Sequence, residues 1–417
     1  MASVRKRVWN RPDGTKGQAW QLSYYDADGH RQRLQFATKA EADDARVRVE
    51  GEISTGTHVP DAKSLTVINA CQAWLDHLER LVQKGKRERC TLSQYRGHVN
   101  NHIRPHRIAR VRLSRLRAAD CQVFVDDLAV SVSHAMARKI RATLRNMIGY
   151  AARVGWIGTN PMRDTRLEQL KREDDDVQIP TKEEVRKILQ AAEKLVSVDK
   201  GRTAALVMLG FLCGPRPSEL LAVERFAISL GGNAPFLRIS QRIDNRAKIG
   251  LPKRQASHRD IPIGPSLVAA LKRWYAGGLS PQPVGKQIER NGKERELRMV
   301  FPSEAGTPIS YFNFYNRIWA PLLTAAGVTI ESAPEKEGEP PKIEPRYAPN
   351  VMRHFAASLW IDQKVEPKLL QQWMGHASIK QTLDTYGHLW RNRQSEVDMA
   401  ALAEADLLLG QSENKSP

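Results

Sequence analysis

Four short polar motifs in the C-terminal part of the chain constrain its fold more than any other feature. At the first motif an apolar helix ends at a Gly-Pro pair and a second helix begins. His376 follows Arg353 by 23 residues, and Tyr386 follows His376 by 10. In chain order the motifs are Gly214-Pro215-Arg216-Pro217-Ser218-Glu219-Leu220, Arg353-His354, Met374-Gly375-His376 and Asp384-Thr385-Tyr386-Gly387-His388. Together they predict one mixed, mainly helical domain from about residue 178 to about residue 410.

The side chains of these motifs suit the chemistry of a phosphodiester. A guanidinium group keeps its charge and grips two phosphate oxygens at once, and Arg216 is expected to project from a rigid turn at a helix N-terminus. Glu219 is placed to orient that guanidinium from behind. Arg216, Arg353 and His376 are therefore predicted to stabilise a phosphate. Tyr386 is predicted to attack it.

The same residues have plainer explanations when each is taken alone. Arg216 fits an ordinary helix start with a surface arginine, and Tyr386 fits a surface aromatic on a polar helix. Because two arginines, a histidine and a tyrosine occur in this order, the catalytic interpretation is favoured over separate surface residues.

Positive charge is concentrated in the middle of the chain. The net charge is +19, and residues 63–172 carry 22 basic and 8 acidic side chains, whereas residues 1–62 carry 10 and 9. A segment this basic favours a polyanionic partner such as DNA. A predicted helix over 133–153 places basic residues opposite an apolar face, and we expect them to bind DNA rather than only to solvate that helix. They are Arg138, Lys139, Arg141 and Arg145.

Turn and capping signals divide the N-terminal half. Strands are predicted at about 5–9, 20–25 and 31–36, followed by a helix that opens at the capping box of Thr38 and Glu41 and ends near residue 53. From residue 65 to about 172 the apolar period is helical, with helices at about 67–81, 90–102, 118–128 and 133–153. A charged stretch near residues 171–176 is predicted to be a linker.

The remaining signals exclude several classes of protein. The four cysteines lie far apart with no metal-ligand spacing, so we expect a reducing cytoplasm and no bound metal. No apolar run approaches 18 residues, which predicts that the chain does not enter a membrane. There is no phosphate-binding loop of the nucleotide-binding type, and no cofactor is expected.

The motifs resemble those of the tyrosine recombinase, or phage integrase, family. Arg353 and His354 match its HxxRH box, the stretch around His376 matches its LLGH box, and the stretch around Tyr386 matches its nucleophile box. The resemblance implies that Tyr386 attacks the scissile phosphate to leave a 3′-phosphotyrosine and a free 5′-hydroxyl, without metal or ATP. It also implies that Lys253, between two strand-like segments, is the general acid that protonates the leaving oxygen.

One position departs from the family pattern. Asn350 stands where the HxxRH box has its first histidine, which in the family helps to move the proton of the tyrosine. An amide forms hydrogen bonds but does not titrate near neutral pH, so the general-base role is in question at this position. We expect a tuned catalytic site here rather than an inactive one.

The resemblance extends to the organisation of the whole chain. It implies an α+β, mainly helical protein: an arm-type DNA-binding domain of small sheet plus helix (1–62), a four-helix core-binding domain (63–172), and a mixed helical catalytic domain with a small sheet (173–417). The expected partner is double-stranded DNA with core and arm attachment sites, bound by a homo-tetramer, with an excision factor and a DNA-bending protein. The expected location is the bacterial cytoplasm, at the nucleoid.

The expected activity is the integration and excision of a prophage or other mobile element by a site-specific recombinase. A Xer-like resolvase or transposon recombinase remains an alternative within the same enzyme class, although the predicted arm domain argues against the simplest Xer type. A catalytically silent DNA-binding regulator is the alternative from another class, and Asn350 is its support. A type IB topoisomerase uses similar chemistry and is distinguished by relaxing a supercoiled plasmid.

Overall fold

The structure is a computed structural model that describes residues 2–10, 12, 15–26, 29–56, 58–168, 178–232, 234–244, 246–252, 255–277, 286–288, 294–303, 306–332, 340–390, 401 and 404. The chain divides into two compact units, Met1–Glu173 and Asp174–Pro417. In the part of the chain that the structure describes, no helix combines the length and the apolar character needed to cross a membrane.

The first unit begins with a three-stranded antiparallel sheet and one helix. The strands pair in the order β1-β2-β3, with Leu22 opposite Leu34. Thr38 and Glu41 form the capping box that starts the helix, and Leu22, Tyr24 and Val49 are buried between helix and sheet. The elements are β1 (Ser3–Asn10), β2 (Lys16–Tyr25), β3 (Arg31–Phe36) and α1 (Lys39–Ser54). The predicted sheet and helix are confirmed.

The rest of the first unit is helical and has its own apolar core. Its elements are α2 (Val67–Gln83), α3 (Arg89–His98), α4 (Ala118–Ser131) and α5 (His134–Arg153), with a π-helical turn at Val99–Ile103 and 3₁₀ turns at Asp61–Lys63, Arg107–Arg110 and Leu113–Arg115. The apolar stripes of these helices meet around Trp74, Phe124 and Leu144, which are buried. Since apolar residues spaced three and four apart form one helical face, the four helices follow the sequence pattern.

The second unit is a mainly helical fold with small sheets. Its helices are α6 (Lys182–Lys194), α7 (Val196–Asp199), α8 (Arg202–Cys213), α9 (Pro217–Leu220), α10 (Pro265–Gly277), α11 (Tyr311–Phe314), α12 (Ala320–Ala325), α13 (Val351–Asp362), α14 (Pro367–Met374) and α15 (Ile379–Tyr386). A π-helical turn at Tyr315–Trp319 joins α11 to α12, and 3₁₀ turns lie at Arg225–Ala227, Gln255–Ser257 and Gly387–Trp390.

In the described residues of the second unit, the strands form four small antiparallel sheets. They are β4 (Ile228–Ser229), β5 (Phe236–Ile239), β6 (Arg242–Ile243), β7 (Ile249–Gly250), β8 (Arg259–Pro262), β9 (Lys286–Ile288), β10 (Glu294–Glu296), β11 (Thr329–Ser332) and β12 (Lys342–Pro345). The three-stranded sheet has the order β4-β5-β8, and β6 pairs with β7, β9 with β10, and β11 with β12. The two strands predicted on either side of Lys253 pair with each other as β5 and β8.

Candidate active site

Arg216 occupies the turn between α8 and α9. Helix α8 ends at Gly214, whose φ of 56° is left-handed and where an added Cβ would meet the Cβ of Ala356 at 2.9 Å. Arg216 then caps α9: its backbone N–H donates to Glu219 Oε2 at 2.9 Å, and its Nη1 donates to Glu219 Oε1 at 2.8 Å. The carboxylate therefore holds both the backbone and the guanidinium of Arg216, whose side chain is about one-third exposed (35%).

A third arginine, which lies outside the four motifs, joins this pair. Arg259 lies on β8 and is buried, and its Nη2 donates to Glu219 Oε2 at 2.8 Å. Its Nη1 donates to the carbonyl of Ser257 at 2.9 Å. The signal for it was its position in the strand, because Arg259, Ile261 and Ile263 alternate onto one buried face.

Three arginines converge on the C-terminal end of α14. Arg259 Nε donates to the carbonyl of Trp373 at 2.6 Å, Arg353 Nη2 donates to that of Met374, and Arg216 Nη2 donates to that of Gly375 at 3.3 Å. The last carbonyls of a helix have no partner within the helix and carry partial negative charge. The end of α14 therefore collects guanidinium groups from three separate parts of the chain.

Gly375 makes this convergence sterically possible. Its φ of 62° is left-handed, and a Cβ on it would meet the Arg259 guanidinium at 2.9 Å. Arg353 is fixed from the other side as well, since its Nη1 donates to the carbonyl of Gly214 at 2.9 Å. The side chain of Arg353 thus bridges the ends of α8 and α14.

We call Arg216, Glu219, Arg259 and Arg353 the arginine cluster. Burial raises the pKa of Glu219, but the charges of Arg259, Arg216 and Arg353 outweigh it and lower that pKa to about 2. Burial, with Arg216 and Arg259 nearby, lowers the pKa of Arg353 to about 9, so the group stays charged at neutral pH. The four residues together carry a net charge of +2, which suits a phosphodiester.

The predicted nucleophile lies beside this cluster. Tyr386, the last residue of α15, is 1% exposed and packs on Ala357, Ile361 and Met374. Burial, partly offset by Arg353 and Arg216, raises its pKa to about 12. Its phenol oxygen lies 2.9 Å from Nδ1 of His354. The tyrosine is thus a neutral phenol in contact with an imidazole.

His376 stacks on the same tyrosine. The two rings are 6.4 Å apart and nearly parallel, at 11°. His376 Nδ1 lies 2.9 Å from Oγ1 of the buried Thr382, a hydrogen-bond partner that was not predicted as a site residue. Burial, followed by the charges of Arg353 and Arg216, lowers the pKa of His376 to about 3. The imidazole is therefore neutral, with Nδ1 held by Thr382 and Nε2 as the other ring nitrogen that can donate to a phosphate oxygen.

Asn350 completes this group from the start of α13. Its Nδ2 lies 2.8 Å from His354 Nε2, so Asn350, His354 and Tyr386 form a hydrogen-bonded chain. Burial and the nearby Arg353 lower the pKa of His354. We call these residues the tyrosine cluster: Asn350, His354, His376, Thr382 and Tyr386.

The remaining predicted site residues are Lys253 and four basic residues of α5. Lys253 is outside the described residues. On α5, Arg138, Lys139 and Arg145 are exposed. Arg141 is partly buried, and its guanidinium donates to Oγ1 of Thr165 at 3.0 Å and to the Thr165 carbonyl. This arginine is therefore engaged inside the first unit, whereas the other three basic side chains face solvent.

The site lies inside the region that matches a known family. The phage integrase family model matches residues 179–393, about half of the chain and including both clusters. The chain belongs to the phage integrase family. It is accordingly a tyrosine recombinase, an enzyme that breaks and rejoins DNA strands, as the four motifs predicted.

Curated relatives of this integrase-family chain include recombinases of the Xer type. The "Tyrosine recombinase XerC-like" protein of Caldanaerobacter subterraneus is 23% identical over 384 residues, which cover 87% of this chain and 90% of the relative. The "Tyrosine recombinase XerC" of Chlorobaculum parvum is 24% identical over 324 residues, covering 74% of this chain and 85% of the relative.

Two solved structures share the fold of this integrase-family chain. A Tn1549 transposon integrase in complex with transposon right end DNA superposes with a TM-score of 0.61 at 19% identity, covering 81% of this chain and 100% of that one. A lambda integrase, solved as a tetramer bound to a Holliday junction, superposes with a TM-score of 0.52 at 19% identity, covering 91% and 95%. The predicted α+β, mainly helical fold is confirmed.

Proposed function

We propose that this recombinase is an integrase that moves a prophage or other mobile element by cutting and rejoining DNA through Tyr386. The observation that carries the proposal is the convergence of three side chains onto one place: Tyr386 from α15, Arg353 from α13 and His376 from just after the end of α14. The phenol is the nucleophile, and the neighbouring arginine cluster offers the positive charge that a pentavalent phosphate needs.

The proposed reaction uses each cluster for one task. Tyr386 attacks the scissile phosphate and forms a 3′-phosphotyrosine, and the bond from phosphorus to the 5′ oxygen breaks. Arg216, Arg353 and His376 donate hydrogen bonds to the non-bridging oxygens as charge builds on them. Lys253 protonates the leaving 5′ oxygen, and the resulting 5′-hydroxyl or that of a partner strand reverses the reaction.

A suicide substrate tests this assignment. Duplex DNA with a core site and a nick beside the scissile phosphate lets the cleaved fragment diffuse away, so the covalent adduct accumulates on a denaturing gel. Tyr386→Phe should abolish the adduct while DNA binding persists. Tyr347→Phe is the matched control: Tyr347 Oη contacts Glu184 at 3.2 Å, and this variant should form the adduct. An adduct formed by Tyr386→Phe would refute the nucleophile, and no adduct from the unaltered protein would favour the silent regulator.

The first unit is proposed to hold the DNA in two ways. Residues 63–172 carry most of the net charge and expose Arg138, Lys139 and Arg145, which suits a core-binding domain. Residues 1–62 form the sheet and helix proposed to bind arm sites. Affinity for core DNA should fall steeply with salt because bound phosphates release counterions. Four protomers are proposed to assemble on two core sites, with an excision factor and a DNA-bending protein setting direction.

A Xer-like resolvase is the second candidate, favoured by the XerC-like relative that aligns over most of this chain. Deletion of residues 1–62 separates the two candidates. An integrase should keep cleavage at a core site and lose recombination between long attachment sites that include arm sequences. A resolvase that needs only core sites should recombine equally well with and without those residues.

A further inference from the structure

The position that the family uses for proton transfer from the tyrosine is occupied here by Asn350, which takes up no proton near neutral pH. The need for a base nevertheless remains, since the buried phenol of Tyr386 has a pKa of about 12. The group in contact with the phenol oxygen is instead His354, whose Nδ1 lies 2.9 Å away. This distance is within the reach required of a general base.

The surroundings of His354 suit an imidazole that is neutral before the reaction. The ring is partly buried at the exposed edge of α13, next to the charged Arg353. Its other nitrogen, Nε2, lies 2.8 Å from the amide of the exposed Asn350. One ring nitrogen therefore faces the nucleophile, and the other faces an amide at the surface, where a proton can leave to solvent.

The amide of Asn350 controls which nitrogen of His354 carries the proton. With Nδ2 toward the ring, the amide donates to Nε2, and the proton on Nδ1 points at the phenol oxygen. When the amide rotates by half a turn, Oδ1 accepts from Nε2–H and leaves Nδ1 free to accept the phenol proton. The two orientations thus select opposite tautomers of the same ring.

We propose that His354 is the general base of strand cleavage and that Asn350, with Oδ1 turned toward Nε2–H, is the residue that positions it. This arrangement, which rests on the proposed function of Tyr386, is an Asn-His-Tyr relay with the same division of roles as Cys-His-Asn hydrolases. The phenol O–H bond breaks and its proton passes to Nδ1. The phenolate oxygen bonds to phosphorus, and the bond to the 5′ oxygen breaks. In rejoining, the departing phenolate takes its proton back from Nδ1.

The test compares two substrates, one natural and one with sulfur in place of the bridging 5′ oxygen. A thiolate leaves without being protonated, so the sulfur substrate removes the need for an acid but not for a base. His354→Gln should slow adduct formation by about 10²-fold or more on both substrates. Lys253→Ala is the matched control and should be slow only on the oxygen substrate. If the sulfur substrate restores His354→Gln to the unaltered rate, or if this variant is never slow, the proposal is wrong.

A pH profile gives a second readout that a purely structural role would not change. The unaltered protein should cleave at a nearly constant rate from pH 7 to pH 9, because the neutral imidazole is already present. In His354→Gln the rate should rise about tenfold for each pH unit, since solvent must remove the proton from a phenol with a pKa of about 12. Equal pH profiles for the two proteins would overturn the proposal.

Variants at Asn350 test the relay while keeping His354 in place. In Asn350→Asp the side chain can only accept from Nε2–H, so Nδ1 is always free to accept the phenol proton and cleavage should be faster than in the unaltered protein. In Asn350→Leu the ring loses its partner, and cleavage should fall by about tenfold or more. Equal rates for the two variants would refute the positioning role. Tyr386→Phe should remove the adduct whichever group is the base. Unchanged rates in the His354 and Asn350 variants would therefore refute the relay and leave Tyr386 as the proposed nucleophile.

Discussion

The arginine cluster and the tyrosine cluster lie next to each other, yet their groups are held in opposite ways. In the first, charged groups contact each other and main-chain carbonyls: Arg216 and Arg259 share Glu219, and Arg353 spans two helix ends. In the second, the groups are neutral, and one hydrogen bond joins each bonded pair, as between His354 and Tyr386. The arginine cluster is therefore organised before DNA arrives, whereas the proposed relay requires the tyrosine cluster to change its protonation during the reaction.

The largest effect is expected from weakening the arginine cluster at its most buried arginine. Arg353→Lys should lower the rate of adduct formation by about 10³-fold, because one ammonium group cannot reach the carbonyls of Gly214 and Met374 and a phosphate together. Arg273→Lys is the control, since Arg273 forms an exposed pair with Glu193 in the same unit. Both rates are measured by stopping the reaction with the suicide substrate at successive times and quantifying the adduct. Similar rates for the two variants would show that the cluster is not preorganised in this way.

The second largest effect is expected on stability, when the carboxylate that Arg216 and Arg259 share is removed. Glu219→Gln leaves Arg259 buried and without its charge partner, which should destabilise the second unit by about 3–5 kcal/mol. Glu193→Gln, at the exposed pair, should cost under about 1 kcal/mol. Urea unfolding measures both.

The same carboxylate gives a pH signature. The pKa of Glu219 is about 2 in the folded chain against an ordinary value of 4.5. Its contribution to stability is therefore present above pH 4.5 and is lost as the pH falls toward 2. Glu219→Gln should lack this part of the acid sensitivity. An unchanged loss of stability in acid would contradict the ion-pair account.

The tyrosine cluster should respond to acid in a different range. His376 has a pKa of about 3 in the folded chain and 6.5 ordinarily, so the unfolded chain binds a proton that the folded site excludes. Stability should fall as the pH is lowered from about 6.5 toward 3. His376→Gln should lose less stability than the unaltered protein between pH 7.5 and pH 5, as measured by unfolding midpoints. Equal losses would mean that His376 is protonated in the folded protein.

The smallest effect is expected at the hydrogen bond behind His376. Thr382→Val keeps the shape of the side chain but removes the oxygen that contacts Nδ1, so the ring should lose its fixed orientation. Adduct formation should fall by about tenfold. Thr385→Val, one turn along α15, removes only a hydroxyl that donates to the Gln381 carbonyl and should change little. If adduct formation falls tenfold in both variants, the cause is a disturbance of α15 and not the lost contact with His376.

The extent to which the sequence predicts this site differs between residues for physical reasons. Tyr386, Arg216 and Arg353 stand in local motifs, and the helices around them follow the apolar period. Both the three residues and their helices are therefore predictable from the sequence alone. Arg259 lies in a four-residue strand, and its meaning depends on pairing that brings it to Glu219 and Trp373. The alternation of the strand marks Arg259 as inward-facing, but it does not show which distant groups its guanidinium meets.

The contact between His354 and Tyr386 illustrates the same limit within a known motif. The motif places His354 after Arg353, but it does not show which of the two ring nitrogens meets the phenol or that Asn350 meets the other. That geometry depends on the packing of α15 against α13. The departure at Asn350 is visible in the sequence, whereas the contacts that support the proposed relay are seen only in the structure.

The carbonyls at the end of α14 have a consequence for the sequence evolution of this enzyme. Trp373, Met374 and Gly375 hold three arginines through main-chain oxygen atoms, which every amino acid possesses. A point mutation can replace the side chain of Trp373 or Met374 without deleting these acceptors. Laboratory evolution aimed at new target sequences can therefore vary these side chains while the arginines proposed to bind the phosphate keep their anchors.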